Sequence, residues 1–228
     1  MKDYIKKTYN TDRKEHYLFN QIPLFILNEL PSNINIEEII NILEDYIPSF
    51  LFKGLDGVYV GDFQELNDRN VQALFKDDAI YLSSFRDGDE ISEELLAREV
   101  THELAHSLEQ RLSNEIYSDG RIEDEYNAKK EKLYSRLKHD GIKFPKEFLF
   151  DEDLVDELDN LLYKKIGYDK ISLVIPGLFL SPYSITSIRE YFANGLEEYY
   201  LGEPEIIKSL SPALYKKLED ISYKIDFS

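Results

Sequence analysis

The sequence of 228 residues contains no cysteine, so disulfide bonds, thiolate metal ligands and a cysteine nucleophile are all excluded. It also contains no apolar run that is long enough to span a bilayer. The first residues include basic side chains but no following apolar segment, so no secretory signal is visible. We therefore expect a cytoplasmic protein. Secretion stays open, because many bacterial secreted enzymes also lack disulfides.

Positive charge is scarce as well, with 27 Lys and Arg against 45 Asp and Glu, and the net charge is −18. Such a chain repels nucleic-acid phosphates and anionic membrane surfaces, and no basic stripe offsets this, so we expect neither as a partner. The acidity itself most simply favours solubility. The sequence has neither the Gly-rich loop that binds phosphates nor the G-x-S-x-G turn of serine hydrolases. It carries no signature of an oligomeric state.

The pattern of apolar residues predicts an α+β fold that is mostly helical, with a small sheet, in a single domain of residues 1–228. We expect residues 1–50 to form a helical N-terminal part and residues 114–170 to form a helical insertion. The predicted helices cover residues 12–30, 36–47, 93–112, 121–138, 151–166, 188–201 and 212–223. The predicted N-caps are Asn33 or Asn35, Ser92, Thr186 or Ser187, and Ser211.

Two segments, 57–61 and 79–83, have the composition of short strands. The second is followed by a predicted turn at 86–89. It is either an edge strand, which would pair with an extended peptide by β-augmentation, or an ordinary interior strand, and the sequence favours neither. Residues 63–75 are mixed and predict a helix or a turn around Asn67.

The most distinctive motif, His102-Glu103-Leu104-Ala105-His106, lies in the helix that begins after Ser92. Residues four apart lie on the same face of a helix, so the two histidines can bind one ion together. Neutral imidazole suits Zn²⁺, and the motif predicts one zinc ion per chain. Glu103 is placed to act as general base toward the water that zinc activates, whereas Leu104 and Ala105 point into the core.

A catalytic zinc takes a third protein ligand and keeps one open position. The remaining histidines, His16 and His139, lie in polar surroundings and are interpreted as surface residues. The third ligand is then a carboxylate, and Glu190 is the best candidate because it lies on an otherwise apolar, aromatic helix. Asn194, one turn later, can accept a hydrogen bond from a zinc-binding histidine. Glu197 is the second choice of ligand.

Other carboxylates near the motif have simpler interpretations. Glu99 and Glu109 flank the two histidines and are interpreted as supporting or solvent-exposed groups. Glu190 could also pair with an arginine or lysine instead of a metal. The sequence leaves this alternative open.

The pattern resembles the gluzincin peptidases, and most closely the catalytic domain of anthrax lethal factor and the related bacterial Pro-Pro endopeptidases. The resemblance rests on the motif at 102–106, on the Glu-Tyr-Phe-Ala sequence at 190–193, and on Tyr183 seven residues before Glu190. It implies a zincin-like fold. It also implies that the Tyr183 hydroxyl stabilises the oxyanion of the substrate.

The chain departs from those relatives in two respects. The separation between His106 and Glu190 is longer, which is why residues 114–170 are interpreted as an insertion. Asn194 stands where some relatives carry an acidic residue. Residues 167–195 also faintly resemble uncharacterised phage-encoded peptidases. The resemblance therefore does not carry over a substrate preference.

Together these features predict a zinc metalloendopeptidase of the gluzincin type that acts on a peptide or protein substrate. The alternative is a catalytically silent, zinc-stabilised structural or interaction protein, for example of a phage particle. A structural site has no need of a carboxylate beside the water, so Glu103 favours the enzyme. A zinc hydrolase that acts on another class of substrate is a third option.

Overall fold

The computed structural model describes residues 14–84, 91–151, 157–158 and 160–224. The chain forms two compact units, residues 1–108 and 109–228. Over the described residues the architecture is α+β with a small mixed sheet, as the sequence predicts. The predicted turn at 86–89 and much of the first part of the helix predicted over 151–166 lie outside the described residues. Within the described part of the chain, no helix is both long and apolar enough to cross a membrane.

The first unit contains a five-stranded sheet with the strand order β1-β2-β3-β5-β4. Its strands are β1 (Lys14–Leu18), β2 (Ile22–Ile26), β3 (Gly57–Gly61), β4 (Ala73–Lys76) and β5 (Ala79–Ser83). The hairpins β1–β2 and β4–β5 are antiparallel, while the β2–β3 and β3–β5 pairs are parallel. Strand β5 therefore lies inside the sheet, and the edge-strand alternative for it is wrong. On the side of the sheet next to β5, the edge strand is β4, and the sequence pattern did not reveal this.

The helix predicted over 12–30 is wrong for the described residues, because this segment forms the β1–β2 hairpin. The Gln21 amide donates to the Leu18 carbonyl at 3.0 Å, which closes a β-turn. Its two central residues, Phe19 and Asn20, have φ values of 52° and 54°, as in the turns that suit the twist of a hairpin. Pro23 lies inside β2, whereas in the interior of the predicted helix it would have removed a hydrogen bond and broken the helix. The apolar residues of β2 are close together because the strand is covered on both faces, and this density resembles a helical pattern.

Three helices accompany the sheet in the first part of the chain: α1 (Ile36–Tyr46), α2 (Gln64–Arg69) and α3 (Glu93–Tyr117). The Asn35 side chain caps α1 by accepting from the Glu37 amide. Ser92 caps α3 in the same way, since its hydroxyl accepts from the Leu95 amide at 3.2 Å. These predicted caps are confirmed. Helix α3 extends past its predicted end, with non-helical dihedral angles at Leu112.

The second unit is helical over its described residues. Beyond the last residues of α3, its helices are α4 (Arg121–His139), α5 (Tyr168–Val174), α6 (Ile188–Leu201), α7 (Pro204–Leu210) and α8 (Pro212–Lys224). Shorter turns of 3₁₀ or π helix occur at Lys146–Leu149, Asn160–Ile166 and Tyr183–Ile185. Helix α4 and the π-helical turn at Asn160–Ile166 lie in the segment that the sequence predicts to be a helical insertion, and α5 begins at its end. The predicted start of α6 after Ser187 and its end at Gly202 are both confirmed.

Candidate metal centre

The two histidines of the motif lie one turn apart on α3. Their ring centroids are 5.2 Å apart and the rings are nearly perpendicular, with an angle of 79° between their planes. Both side chains are half-buried, whereas Leu104 and Ala105 between them are completely buried. The apolar face of α3 thus fixes the helix in the first unit and leaves the opposite face to His102 and His106.

Glu190 lies in the first turn of α6. The Ser187 hydroxyl accepts from the Glu190 amide at 3.1 Å, so the helix begins one turn before the carboxylate that the sequence singles out. Ligand atoms of His102, His106 and Glu190 all lie within 4.8 Å of one another, and the group could hold a metal ion. Two imidazole nitrogens and one carboxylate oxygen are a donor set that zinc takes in catalytic sites, so the residues fit this metal.

The remaining candidates for metal ligands are not brought into this group. Among the described residues, the cluster contains neither Glu197 nor Glu99. His16 instead forms a contact of 2.7 Å between its Nδ1 atom and Glu37 Oε1, and His139 is exposed at the end of α4. The predicted interpretation of His139 as a surface residue agrees with this exposure.

Glu103 lies between the two histidines in sequence, yet it is buried, with 8% of its surface exposed. One of its oxygens, Oε2, accepts a hydrogen bond of 2.6 Å from the backbone amide of Phe75 in β4. This bond links α3 to the edge strand of the sheet within the first unit. Sequence reasoning did not anticipate the contact, because the donor is a backbone group 28 positions away and carries no side-chain signature.

Asn194 and Tyr183, the other predicted site residues, have well-defined surroundings in the second unit. The Asn194 amide oxygen accepts from the Ser181 hydroxyl at 2.7 Å, and its amide nitrogen donates to the Glu190 carbonyl at 2.9 Å. Tyr183 is 45% exposed and belongs to the 3₁₀ turn that precedes α6. The proposed hydrogen bond from a histidine to Asn194, and the contact of Tyr183 with an oxyanion, stay predictions.

Of the two interpretations of Glu109, the solvent-exposed one is wrong, and its contacts are those of a supporting group. It is buried, accepts a hydrogen bond from the Tyr117 hydroxyl, and forms an ion pair of 3.3 Å with Nε of Arg189. Burial and the neighbouring Glu109 carboxylate raise the pKa of Tyr117 well above its ordinary value. Because Arg189 directly precedes Glu190, the pair restrains the first turn of α6. The signal in the sequence was the short spacing from His106 to Glu109, which places the two side chains on the same face of the helix.

A cavity of about 480 Å³ lies in the second unit beside the start of α6. Residues of the predicted insertion supply aromatic walls, among them Tyr126, Phe148 and Phe150, and the first turn of α6 contributes Ile188 and Arg189. Helix α4 is tied to this region because the Tyr126 hydroxyl donates to the Ile185 carbonyl at 2.6 Å. The lining is about equally apolar and polar, and the volume is typical of a site that binds a small molecule or a large side chain.

No protein-family model, no curated protein and no solved structure matches this chain.

Proposed function

We propose that this protein is a zinc-dependent endopeptidase of the gluzincin type, with one zinc ion held by His102, His106 and Glu190. The observation that carries the proposal is the proximity of the three ligand atoms, all within 4.8 Å of one another. The ligands come from two helices that are far apart in sequence. Three ligands of this kind leave a fourth position open, as hydrolytic zinc sites require.

The chain's own residues supply the proton transfers. When bound, zinc would lower the pKa of a water molecule and stabilise negative charge on a carbonyl oxygen. Glu103 accepts a proton from the attacking water and returns it to the leaving amine, so its carboxylate is restored after each cycle. The Tyr183 hydroxyl donates a hydrogen bond to the oxyanion that forms on the peptide carbonyl.

The substrate is an extended peptide, and the edge strand β4 offers it a place to pair. This role passes to β4 because β5 has neighbours on both sides. Residues 114–170, which supply part of the lining of the cavity in the second unit, are proposed to restrict which substrates are cleaved.

Two measurements test the proposal together. Protein purified without added metal should contain close to one zinc per chain by elemental analysis, and it should cleave members of a peptide library. Glu103→Gln should keep the zinc and the fold, because its amide oxygen can still accept from the Phe75 amide. It should lower kcat by at least about 100-fold, the loss expected when a general base is removed. Failure to bind zinc, or turnover by Glu103→Gln at the rate of the original protein, would contradict the proposal.

The alternative, a zinc-stabilised structural protein without turnover, draws support from the Glu103–Phe75 hydrogen bond. A buried carboxylate that links a helix to a sheet has a structural role even without catalysis. This alternative expects one zinc per chain, no cleavage of any peptide, and a loss of stability in Glu103→Ala. The peptide library therefore separates the two functions.

A further inference from the structure

At every second residue of the edge strand β4, the backbone amide and carbonyl groups point toward β5. The Ser83 amide donates to the Gln72 carbonyl at 2.8 Å, so residue 72 forms a hydrogen-bonded pair with residue 83. In an antiparallel ladder such pairs alternate with pairs that share no hydrogen bond. The backbone groups of Leu74 and Lys76 therefore face β5, while those of Ala73 and Phe75 face away from it, toward the open edge.

One of these two outward amides meets the predicted general base. The Phe75 amide donates to Glu103 Oε2 at 2.6 Å, and the Glu103 side chain is 8% exposed. A hydrogen bond to an ionised carboxylate is short and strong, and burial strengthens it further. Because Oε2 is committed to this bond, Oε1 is the oxygen that can take a proton.

We propose that the Phe75 backbone amide is a positioning group for Glu103. It fixes the rotation of the carboxylate and directs Oε1 toward the reacting water. The catalytic half of this proposal rests on the proposed peptidase function, whereas the hydrogen bond itself does not. It follows that β4 has two tasks: it orients the base at Phe75 and offers its remaining outward groups to an extended peptide.

Amide hydrogen exchange, followed by NMR, tests the contact without any activity. The amides of Phe75 and Ala73 both point away from β5, and Ala73, which is itself buried, is the reference amide on the same edge. We expect Glu103→Ala to speed the exchange of the Phe75 amide at least about tenfold relative to the original protein, as the loss of a charge-assisted hydrogen bond implies. The amides of Ala73, Leu74 and Lys76 should exchange at their original rates. An unchanged exchange rate at Phe75 in Glu103→Ala would overturn the proposal.

Proline substitutions test the catalytic half. Phe75→Pro removes the donating amide, Ala73→Pro removes the other outward amide, and Phe75→Ala removes the ring but keeps the amide. Proline is tolerated on edge strands where the missing amide faces outward. We expect Phe75→Pro to lower kcat at least about tenfold relative to Ala73→Pro, with equal zinc content. Ala73→Pro removes an amide that is offered to the peptide and should act on KM instead. Phe75→Ala separates the ring from the donor: a kcat as low as that of Phe75→Pro would assign the effect to the ring and overturn the role of the amide.

The outcomes separate the two proposals. If the original protein cleaves peptides but Phe75→Pro and Ala73→Pro have the same kcat, the positioning role is wrong while the peptidase function stands. If the original protein cleaves nothing and Phe75 is still protected from exchange, the peptidase function fails and the contact is structural. If Phe75→Pro does not fold, an ester in place of the Phe75 amide, introduced as the α-hydroxy acid, removes the same donor. A kcat at least about tenfold lower than that of the original protein then supports the positioning role, and an equal kcat overturns it.

Discussion

The two units differ in how they bury charge. In the first unit, the cluster around Phe63, Leu66 and Tyr81 is apolar and aromatic. The charged side chain that is buried among the described residues of this unit is Glu103. In the second unit, Glu109, Lys129 and Lys130 are all buried. The difference matters because a buried charge is costly unless it is paired and hydrogen-bonded.

The charges of the second unit are used by the fold. Lys129 Nζ donates to the carbonyls of Leu178 and Leu210 and to the Ser211 hydroxyl, at distances from 2.7 to 2.9 Å. On the same helix, Glu125 accepts from the Ala213 and Leu214 amides and so caps α8. The contact described for Glu103 is the hydrogen bond that its Oε2 atom accepts from the Phe75 amide. A buried charge whose hydrogen bonds all join parts of the fold indicates a structural role, whereas for Glu103 we propose a catalytic role as well.

The sharpest test of this comparison is Glu190, a half-buried carboxylate of the second unit that we assign to a metal and not to the fold. Loss of a residue that supports a ligand typically weakens metal binding 10–100-fold, and loss of the ligand itself should exceed that. We therefore expect Glu190→Ala to weaken zinc binding more than about 100-fold in a competition titration with a chelator. In the metal-free state, the variant should unfold at nearly the same denaturant concentration as the metal-free original protein.

Glu197→Ala is the matched control on the same helix and should bind zinc normally. If Glu190→Ala binds zinc as tightly as the original protein, the third ligand lies elsewhere. If it instead destabilises the metal-free protein strongly, Glu190 belongs with Glu125 among the structural charges.

Lys129 tests the structural half of the comparison. Lys129→Met keeps most of the side-chain volume but deprives two carbonyls and one hydroxyl of their donor. We expect a loss of about 2 kcal/mol in the free energy of unfolding, measured by urea denaturation of the metal-free protein. Lys132→Met, at an exposed position of α4, should change stability by less than about 0.5 kcal/mol. Similar losses in both variants would show that the buried hydrogen bonds of Lys129 contribute little.

These assignments also show what the sequence could predict. The starts of α1, α3 and α6 were predictable because Asn35, Ser92 and Ser187 act on amides two or three residues away. The histidine pair was predictable for the same reason, since four residues of helix bring the rings together. The β1–β2 hairpin was missed because its turn uses Phe19 and Asn20 at positive φ in place of glycine.

The remaining contacts depend on distant parts of the chain. Glu190 could be selected because it is a carboxylate on an otherwise apolar, aromatic helix, but that pattern does not show which groups the carboxylate will face in three dimensions. The bond from Phe75 to Glu103 requires knowledge of which strand lies at the sheet edge and which of its amides point outward. Neither property is encoded in the four residues of β4 alone.

The pH dependence of stability gives a second test of Lys129. Burial lowers the pKa of Lys129 from 10.5 to about 8. Above pH 8 the folded protein releases this proton, while the unfolded chain keeps it until about pH 10.5, so the unfolded state binds more protons and stability rises with pH. We expect the stability of the original protein to increase relative to Lys129→Met between pH 7.5 and pH 9.5. Lys138→Met, at another exposed position of α4, should show the same increase as the original protein, and a falling difference would contradict the assignment.

The smallest expected effect concerns a polar atom that the first unit buries without a partner. Tyr81 in β5 is fully buried, its ring stacks on Tyr59 and meets the edge of Phe63, and its hydroxyl has no hydrogen-bond partner among the described residues. Burial raises the pKa of Tyr81 to about 12. Tyr191 in the second unit is nearly as buried, but its hydroxyl donates to Glu125 at 2.8 Å.

The substitutions Tyr81→Phe and Tyr191→Phe remove the same atom from these two environments. Tyr81→Phe keeps the ring contacts and removes an unpaired polar group, so the free energy of unfolding should stay the same or rise by up to about 1 kcal/mol. Tyr191→Phe leaves the Glu125 carboxylate with one donor fewer and should lower stability by about 1 kcal/mol. Urea denaturation of the two variants beside the original protein measures both changes. If Tyr81→Phe is the more destabilising of the two, the first unit satisfies its buried polar groups as fully as the second, and the contrast between the units fails.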